Sequence, residues 1–169
     1  MRMIVEKLHE VEKAIEESRQ KRTRADRNEP VQLVAVTKNH DVAAMREAID
    51  AGVTVIGENR IQEARQKHAT LEREVSWHLI GHLQTNKAKQ AVEIFDLIHS
   101  VDSIHLARAL DQAAEKHGKV QDILVQVNLA REESKSGVYE EALPMLLAAV
   151  DELTHLRLCG LMCIAPNYD

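Results

Sequence analysis

The sequence lacks an excess of positive charge. Its 169 residues include 22 lysines and arginines against 27 aspartates and glutamates, which gives a formal net charge of −5 at pH 7. Charge of mixed sign offers no basic field to the phosphates of nucleic acid or to an anionic membrane surface. We therefore expect neither nucleic acid nor a membrane among the partners of this protein.

The sequence also lacks a long hydrophobic run. No stretch approaches the roughly 20 apolar residues that a membrane-spanning helix needs. The first residues, MRMIVEKLHEVEKAIEES, have the spacing of an amphipathic helix, whereas a secretory signal has an unbroken apolar stretch. We expect a cytoplasmic protein in which residues 1–29 form a helix before the first strand.

Cysteine is scarce, with only Cys159 and Cys163 in the chain. Both lie in one apolar run. If that run is a strand, the two side chains face the same way about 13 Å apart, which is beyond disulfide reach. We predict reduced thiols that pack in the core.

Six short apolar runs rich in β-branched residues divide the chain. Their ranges are 31–37, 53–57, 76–81, 94–99, 121–128 and 155–164. The stretches between them have helical spacing and end signals: Asp41 precedes one and Gly52 follows it, and Asp102 begins another that ends at Gly118. The pattern predicts six strands with one helix in each gap, and 44% hydrophobic content is enough for one domain, 1–169.

Runs that are apolar almost throughout are typical of parallel strands covered by helices, which indicates the α/β class. An eight-fold (β/α) barrel takes about 250 residues, roughly 30 for each unit. This chain has room for six strands. Two alternatives follow: an open, doubly wound sheet, or a (β/α) barrel with two units missing.

Chemistry in parallel α/β sheets occurs at the carboxyl ends of the strands, and this sequence turns polar there. The polar and other notable residues are Lys38 after the first run, Glu58 and Asn59 after the second, His82, Gln84, Asn86 and Lys87 after the third, His99, Ser100 and Asp102 after the fourth, Asn128 after the fifth, and Met162 in the sixth.

Lys38 ends the run LVAVTK, and strand alternation places Val34, Val36 and Lys38 on one face. If that face points into a barrel, the amine stands at its mouth above a dry layer. Desolvation then lowers the pKa of the lysine and makes its amine a nucleophile toward aldehydes and ketones. The alternative is a lysine that reaches solvent or pairs with Glu58 or Asp102, and spacing leaves both open.

Six segments occur in an order and spacing that resemble one family. They read LVAVTK, IGENRIQEA, WHLIGHLQTNK, IHSVDS, ILVQVNLAREESKSGV and LRLCGLMCIA, and they span nearly all of 31–166. The chain resembles the small pyridoxal-phosphate-binding proteins of the YggS/PROSC type, whose fold is like the N-terminal barrel of alanine racemase. The resemblance implies a TIM (β/α) barrel with about six of its eight units in this chain.

The resemblance also implies a site and a function. Lys38 matches the lysine that carries pyridoxal 5′-phosphate as a Schiff base. Asn59 is expected near the cofactor ring, and His82 and Met162 are expected to line the pocket. The implied function is cofactor binding in vitamin B6 and amino-acid or keto-acid homeostasis, by a monomer with no established turnover of its own.

Each secondary position has another interpretation. Asn59 with Gln62 has the pattern of a helix N-cap. Met162 is also suited to core filling. His78 and His82 would be about 13 Å apart on a strand, too far to share a zinc ion. Residues 133–137, ESKSG, lack the spacing of a phosphate-binding P-loop and, with Pro144 following, are predicted to form a surface loop.

Two further functions use the same lysine. A racemase needs a base on each side of the substrate, and in the related racemases the second base is a tyrosine. This chain offers only Tyr139 and Tyr168, neither in such a motif. A Schiff-base aldolase without a cofactor is the other alternative, and no motif supports it.

The chain departs from the resembled family at its end. Family members continue with two more βα units, which carry the segment that holds the cofactor's phosphate and an arginine near the pyridine nitrogen. We therefore expect a truncated chain with weaker cofactor binding. The free edges of an unclosed barrel would favour association with a partner segment.

Overall fold

The structure, a computed structural model, describes residues 2–23, 29–132 and 134–165. Helices and strands alternate through these ranges. The strands are β1 (Ala35–Val36), β2 (Val55–Glu58), β3 (Ser76–Leu79), β4 (Leu97–Val101), β5 (Gln121–Gln126) and β6 (Leu156–Met162). The helices are α1 (Arg2–Gln20), α2 (Val42–Asp50), α3 (Ile61–His68), α4 (Ala88–Ile94), α5 (Ile104–His117) and α6 (Leu143–Asp151), with a short 3₁₀ helix at Thr85–Lys87.

The six strands form one parallel sheet in the order β1-β2-β3-β4-β5-β6. A doubly wound sheet reverses its strand order at a switch point, whereas a barrel adds each strand beside the last. The sequential order therefore decides between the two alternatives and confirms a partial (β/α) barrel. The sheet is not closed, so β1 and β6 are its two edge strands.

The two faces of the sheet differ in burial. Ile56, Leu79, Ile98 and Ile123 share the face that packs against helix side chains such as Leu110, and all five are fully buried. The opposite face is more open: Val36 is 46% exposed, and His78 and Leu97 are half-buried. The core thus lies between sheet and helices, and the face that would line a barrel is reachable by water.

The helix ends agree with the sequence in part. Asp41 is the N-cap of α2, where its carboxylate accepts a hydrogen bond from the Ala44 backbone N–H at 2.8 Å, and Gly118 ends α5 with φ 70°. The start predicted at Asp102 is wrong by one residue, because Ser103 is the N-cap of α5. Pro144 lies in the first turn of α6, where a missing N–H breaks no helical bond.

The two edge strands correct two of the predictions. The first strand, β1, is two residues long rather than 31–37. Cys159 and Cys163 are free, but they are exposed instead of packed in the core, because β6 is the other edge. In the described part of the chain, no helix is long and apolar enough to cross a membrane.

Candidate functional site

Lys38 lies in a tight turn at the carboxyl end of β1. The His40 N–H donates to the Thr37 carbonyl oxygen at 3.0 Å, and Asn39 has φ 63°. This is the pattern of a type II turn, in which the third residue needs a positive φ that asparagine tolerates. Lys38 therefore projects from the second position of a defined turn.

The Lys38 side chain is exposed, and its ammonium makes no hydrogen bond or ion pair with any other described residue. The dry layer that we expected beneath it is wrong for this chain, because β1 is an edge strand and Val36 is open to water. The alternative, a lysine that reaches solvent or pairs with Glu58 or Asp102, is confirmed in its first form: Lys38 reaches solvent, and the pairing does not occur. Glu58 pairs with Lys67, and Asp102 accepts a hydrogen bond from the Gly137 N–H at 3.2 Å.

A buried ionic cluster lies directly beneath the turn. The Lys67 side chain reaches from α3 and donates to the Thr37 carbonyl oxygen, to Glu58 Oε1 and to Glu63 Oε1, each at 2.7 Å. Glu58 also accepts a hydrogen bond from the Thr37 hydroxyl at 2.5 Å. Because Lys67 comes from the helix side, the side chains of Thr37 and Glu58 face the helices, and alternation directs Val36 and Lys38 to the open face.

The cluster also holds the residue after Lys38. The Asn39 N–H donates to Glu63 Oε1 at 2.8 Å. The hydrogen bond from Lys67, then that from Asn39, keep the pKa of Glu63 below its ordinary value. Sequence reasoning missed Lys67 and Glu63, although their i,i+4 spacing on a helix is the signal that indicates an ion pair.

Asn59 and His82 come together at one cleft. A cavity of about 260 Å³ at the carboxyl ends of β2 and β3 is lined by Asn59, Arg60, Ile61, Gln62, His82, Leu83, Gln84 and Lys87. Lys38 and Met162 do not line it. The prediction that Asn59 caps a helix is wrong, since Arg60 is the N-cap of α3 and makes no side-chain cap bond. Asn59 is thereby free of a capping role.

Gly81 permits the close approach that forms this cleft. A Cβ atom at Gly81 would lie 2.3 Å from the Asn59 carbonyl oxygen and 2.7 Å from its Cα atom. Real side chains do not tolerate such distances. Only glycine therefore lets the turn after β3 pack against the backbone of Asn59.

His82 contacts the loop that follows β5. Its Nδ1 atom lies 3.2 Å from the Ser136 hydroxyl oxygen. Asn128 orders that loop, because its side-chain amide donates to the carbonyl oxygens of Glu132 and Lys135 at 2.9 and 3.1 Å. The segment predicted to be a surface loop, 133–137, lies here with Glu133 outside the described residues, and it rests on the carboxyl end of the sheet.

Met162 ends β6, at the opposite edge of the sheet from Lys38, and is half-buried. Its carbonyl oxygen accepts a hydrogen bond from the Val127 N–H at 2.8 Å. Both interpretations of its side chain, pocket lining and core filling, remain predictions.

His78 pairs with His99 rather than with His82. His99 Nε2 lies 3.0 Å from His78 Nδ1. Burial lowers the pKa of both imidazoles, that of His99 to about 4 with a further contribution from His78. No group of three or more His, Cys, Asp or Glu side chains that could hold a metal ion occurs in the ranges that the structure covers.

One of the two tyrosines lies within the residues that the structure describes. Tyr139 lies in the segment after the β5 loop, 41% exposed, with the Arg131 guanidinium 5.6 Å from its ring centroid. Tyr168 lies outside the described residues. Lys38 therefore combines an ammonium without a partner among the described residues with a hydrogen-bonded turn at this end of the sheet.

Known proteins resemble this chain over most of its length. The sequence pattern of the family described as alanine racemase, N-terminal domain, matches residues 12–169. A relative named pyridoxal phosphate homeostasis protein, from Synechocystis, is 44% identical over 138 residues, which are 80% of this chain and 63% of that protein. The chain therefore spans slightly less than two thirds of this relative.

Solved structures of related proteins are also similar to this chain. PipY of Synechococcus elongatus with pyridoxal phosphate bound is 44% identical, with a TM-score of 0.77 over 88% of this chain and 70% of that one. Alanine racemase of Clostridium difficile is 14% identical, with a TM-score of 0.67 over 83% of this chain and 37% of that enzyme. The second likeness concerns the fold alone.

Proposed function

We propose that this chain, which belongs to the alanine racemase N-terminal domain family, binds pyridoxal 5′-phosphate through a Schiff base on Lys38. The observation that carries the proposal is the free ammonium of Lys38 in a fixed turn at the carboxyl end of β1. The PipY structure with the cofactor bound, 44% identical to this chain, supports the choice of aldehyde.

Formation of the Schiff base requires few contributions from the residues around Lys38. The unprotonated Lys38 amine attacks the aldehyde carbon, a carbon–nitrogen double bond forms, and the aldehyde oxygen leaves as water. Since Lys38 has no ion pair with the described residues, none has to be broken for the reaction. We assign Asn59 and His82 to the cofactor side of the site because they share a cleft at the same end of the sheet, and Met162 to its far edge.

The physiological role follows the name of the relatives. We propose that 1–169 is one partial barrel domain that acts in the cytoplasm, as a monomer, in pyridoxal phosphate and amino-acid or keto-acid homeostasis. Binding, rather than turnover, is the proposed activity, since neither tyrosine of the sequence falls in a motif that would supply the second base of a racemase.

An absorbance titration tests the proposal. Addition of pyridoxal phosphate to the purified protein is expected to produce the visible band of a Schiff base, and borohydride is expected to remove it. Lys38→Ala abolishes the band. Lys116→Ala, which removes an exposed lysine near the end of α5, leaves it unchanged. Equal bands in the two variants would contradict the proposal.

A further inference from the structure

The turn that carries Lys38 has little support from its own strand. β1 comprises two residues and, within the described part of the chain, pairs with β2 alone. The last backbone hydrogen bond between this edge and β2 runs from the Thr37 N–H to the Gly57 carbonyl oxygen, at 3.0 Å. A sheet edge with so few backbone hydrogen bonds has a low free energy of local opening. A fixed position for Lys38 therefore requires restraint from outside the strand.

The Lys67 cluster supplies that restraint on both sides of Lys38. The peptide before it is held by Lys67, which binds the Thr37 carbonyl oxygen. The peptide after it is held by Glu63, which accepts from the Asn39 N–H. Lys67 and Glu63 also form an ion pair with each other. One ion pair of α3 therefore holds both the Thr37 carbonyl oxygen and the Asn39 N–H.

Stability alone does not account for this cluster. Lys67 is 6% exposed and Glu58 is fully buried, and burying such a pair costs desolvation that its attraction roughly cancels. All three ammonium hydrogens of Lys67 have acceptors, while Glu58 Oε2 has no partner among the described residues. A buried polar cluster of this kind is better explained by the unique geometry that it fixes than by the stability that it adds.

We infer that Lys67 is a positioning residue for Lys38, acting with Glu63 and Glu58 through the backbone of Thr37 and Asn39. The inference rests on the proposed function. Lys67 itself does not touch the cofactor. Its effect is to hold the Lys38 amine where the aldehyde is presented, so that little ordering remains when the Schiff base forms.

A pair of buried-lysine variants separates positioning from general stability. Lys67→Met removes the three donors and keeps an unbranched side chain. Lys119→Met is the matched control, because the half-buried Lys119 ammonium also donates to backbone carbonyl oxygens, those of Val92 and Phe95 at 3.0 and 3.2 Å. Lys119 precedes β5 and so lies at the amino end of the sheet, away from Lys38.

The readout compares two ligands that differ in the aldehyde. Lys67→Met is expected to weaken pyridoxal phosphate binding by about tenfold and to leave pyridoxine 5′-phosphate, which has an alcohol there, within about twofold. Lys119→Met is expected to change neither. An equal loss for both ligands, or the same loss in both variants, would overturn the inference and indicate general destabilisation.

Hydrogen exchange tests the clamp without any ligand. The Asn39 amide is expected to exchange about tenfold faster in Lys67→Met than in the wild type or in Lys119→Met, because its acceptor loses its own anchor. If the wild type forms no Schiff base, the proposed function fails and this exchange rate alone decides whether Lys67 fixes the turn. Unchanged exchange overturns the inference.

A second variant, Glu63→Ala, tests the inference if Lys67→Met does not fold. Glu63→Ala removes the acceptor of the Asn39 N–H and leaves Lys67 paired with Glu58. It is expected to show the same selective loss for pyridoxal phosphate and the same faster exchange at Asn39. Wild-type behaviour in both measurements would overturn the inference.

Discussion

His99 Nε2 lies 3.0 Å from His78 Nδ1, which joins two imidazoles from the neighbouring strands β3 and β4 on the open face of the sheet. A bond between two ring nitrogens needs one to donate and the other to accept, so at least one ring is neutral. Burial lowers the pKa of both rings, and that of His99 falls to about 4. The pair is therefore uncharged near neutral pH.

This pair makes the stability of the fold depend on pH. The pKa of His99 is about 4 in the folded chain and about 6.5 when unfolded, so the unfolded state binds more protons between these values. Stability from neutral His99 is complete above about pH 6.5 and is lost as the pH falls toward about 4. Since the ring is partly exposed, we expect a loss of about 1 kcal/mol.

Urea unfolding at neutral pH and at about pH 5 measures this effect. His99→Gln is expected to flatten the pH dependence. His117→Gln, which changes an exposed histidine at the end of α5, is the control and is expected to retain it. The same pH dependence in both variants would show that His99 is not the titrating group.

Gly81→Ala tests the close packing at the cleft. Its new Cβ would meet the backbone of Asn59, which cannot move aside as a side chain does, and we expect a loss of about 2 to 3 kcal/mol in unfolding free energy. Gly57→Ala is the control, because the atoms nearest its Cβ would be side-chain carbons of Val34 and Ile80 at 3.1 Å, not backbone atoms. Equal denaturation midpoints for the two variants would contradict the structure at Asn59.

Asn59→Ala separates the two roles predicted for that residue. Because Arg60 occupies the N-cap of α3, we expect Asn59→Ala to change the unfolding free energy by less than about 0.5 kcal/mol. Asp41→Ala removes an observed cap and is expected to cost about 1 kcal/mol. Cofactor binding, measured by the same absorbance titration, should weaken only in Asn59→Ala. A cap-sized stability loss there would restore the capping interpretation.

Local pattern was enough to predict much of this fold. Each of the six apolar runs overlaps a strand, although β2 and β4 extend beyond the predicted ends at 57 and 99. Asp41 and Gly118 mark real helix ends because capping depends on a few neighbouring residues. Lys38 was placed correctly at a strand end for the same reason. Its exposure was one of the alternatives that spacing left open, since exposure depends on which strands lie beside β1.

Long-range pairing accounts for what the sequence did not reveal. Lys67 on α3 binds Thr37, directly after β1, and Glu58 of β2, and no spacing within one element indicates this contact. The partner of His78 is His99 because β3 and β4 pair with His78 opposite Leu97, a register that only the assembled sheet defines. The exposed Cys159 likewise follows from the edge position of β6.

The most direct test of the account locates the covalent bond. Protein incubated with pyridoxal phosphate is reduced with borohydride, digested and analysed by peptide mass spectrometry. The account predicts one adduct on the peptide that contains Lys38, and no adduct there without the cofactor. An adduct on another lysine, or one spread evenly over the exposed lysines, would contradict it.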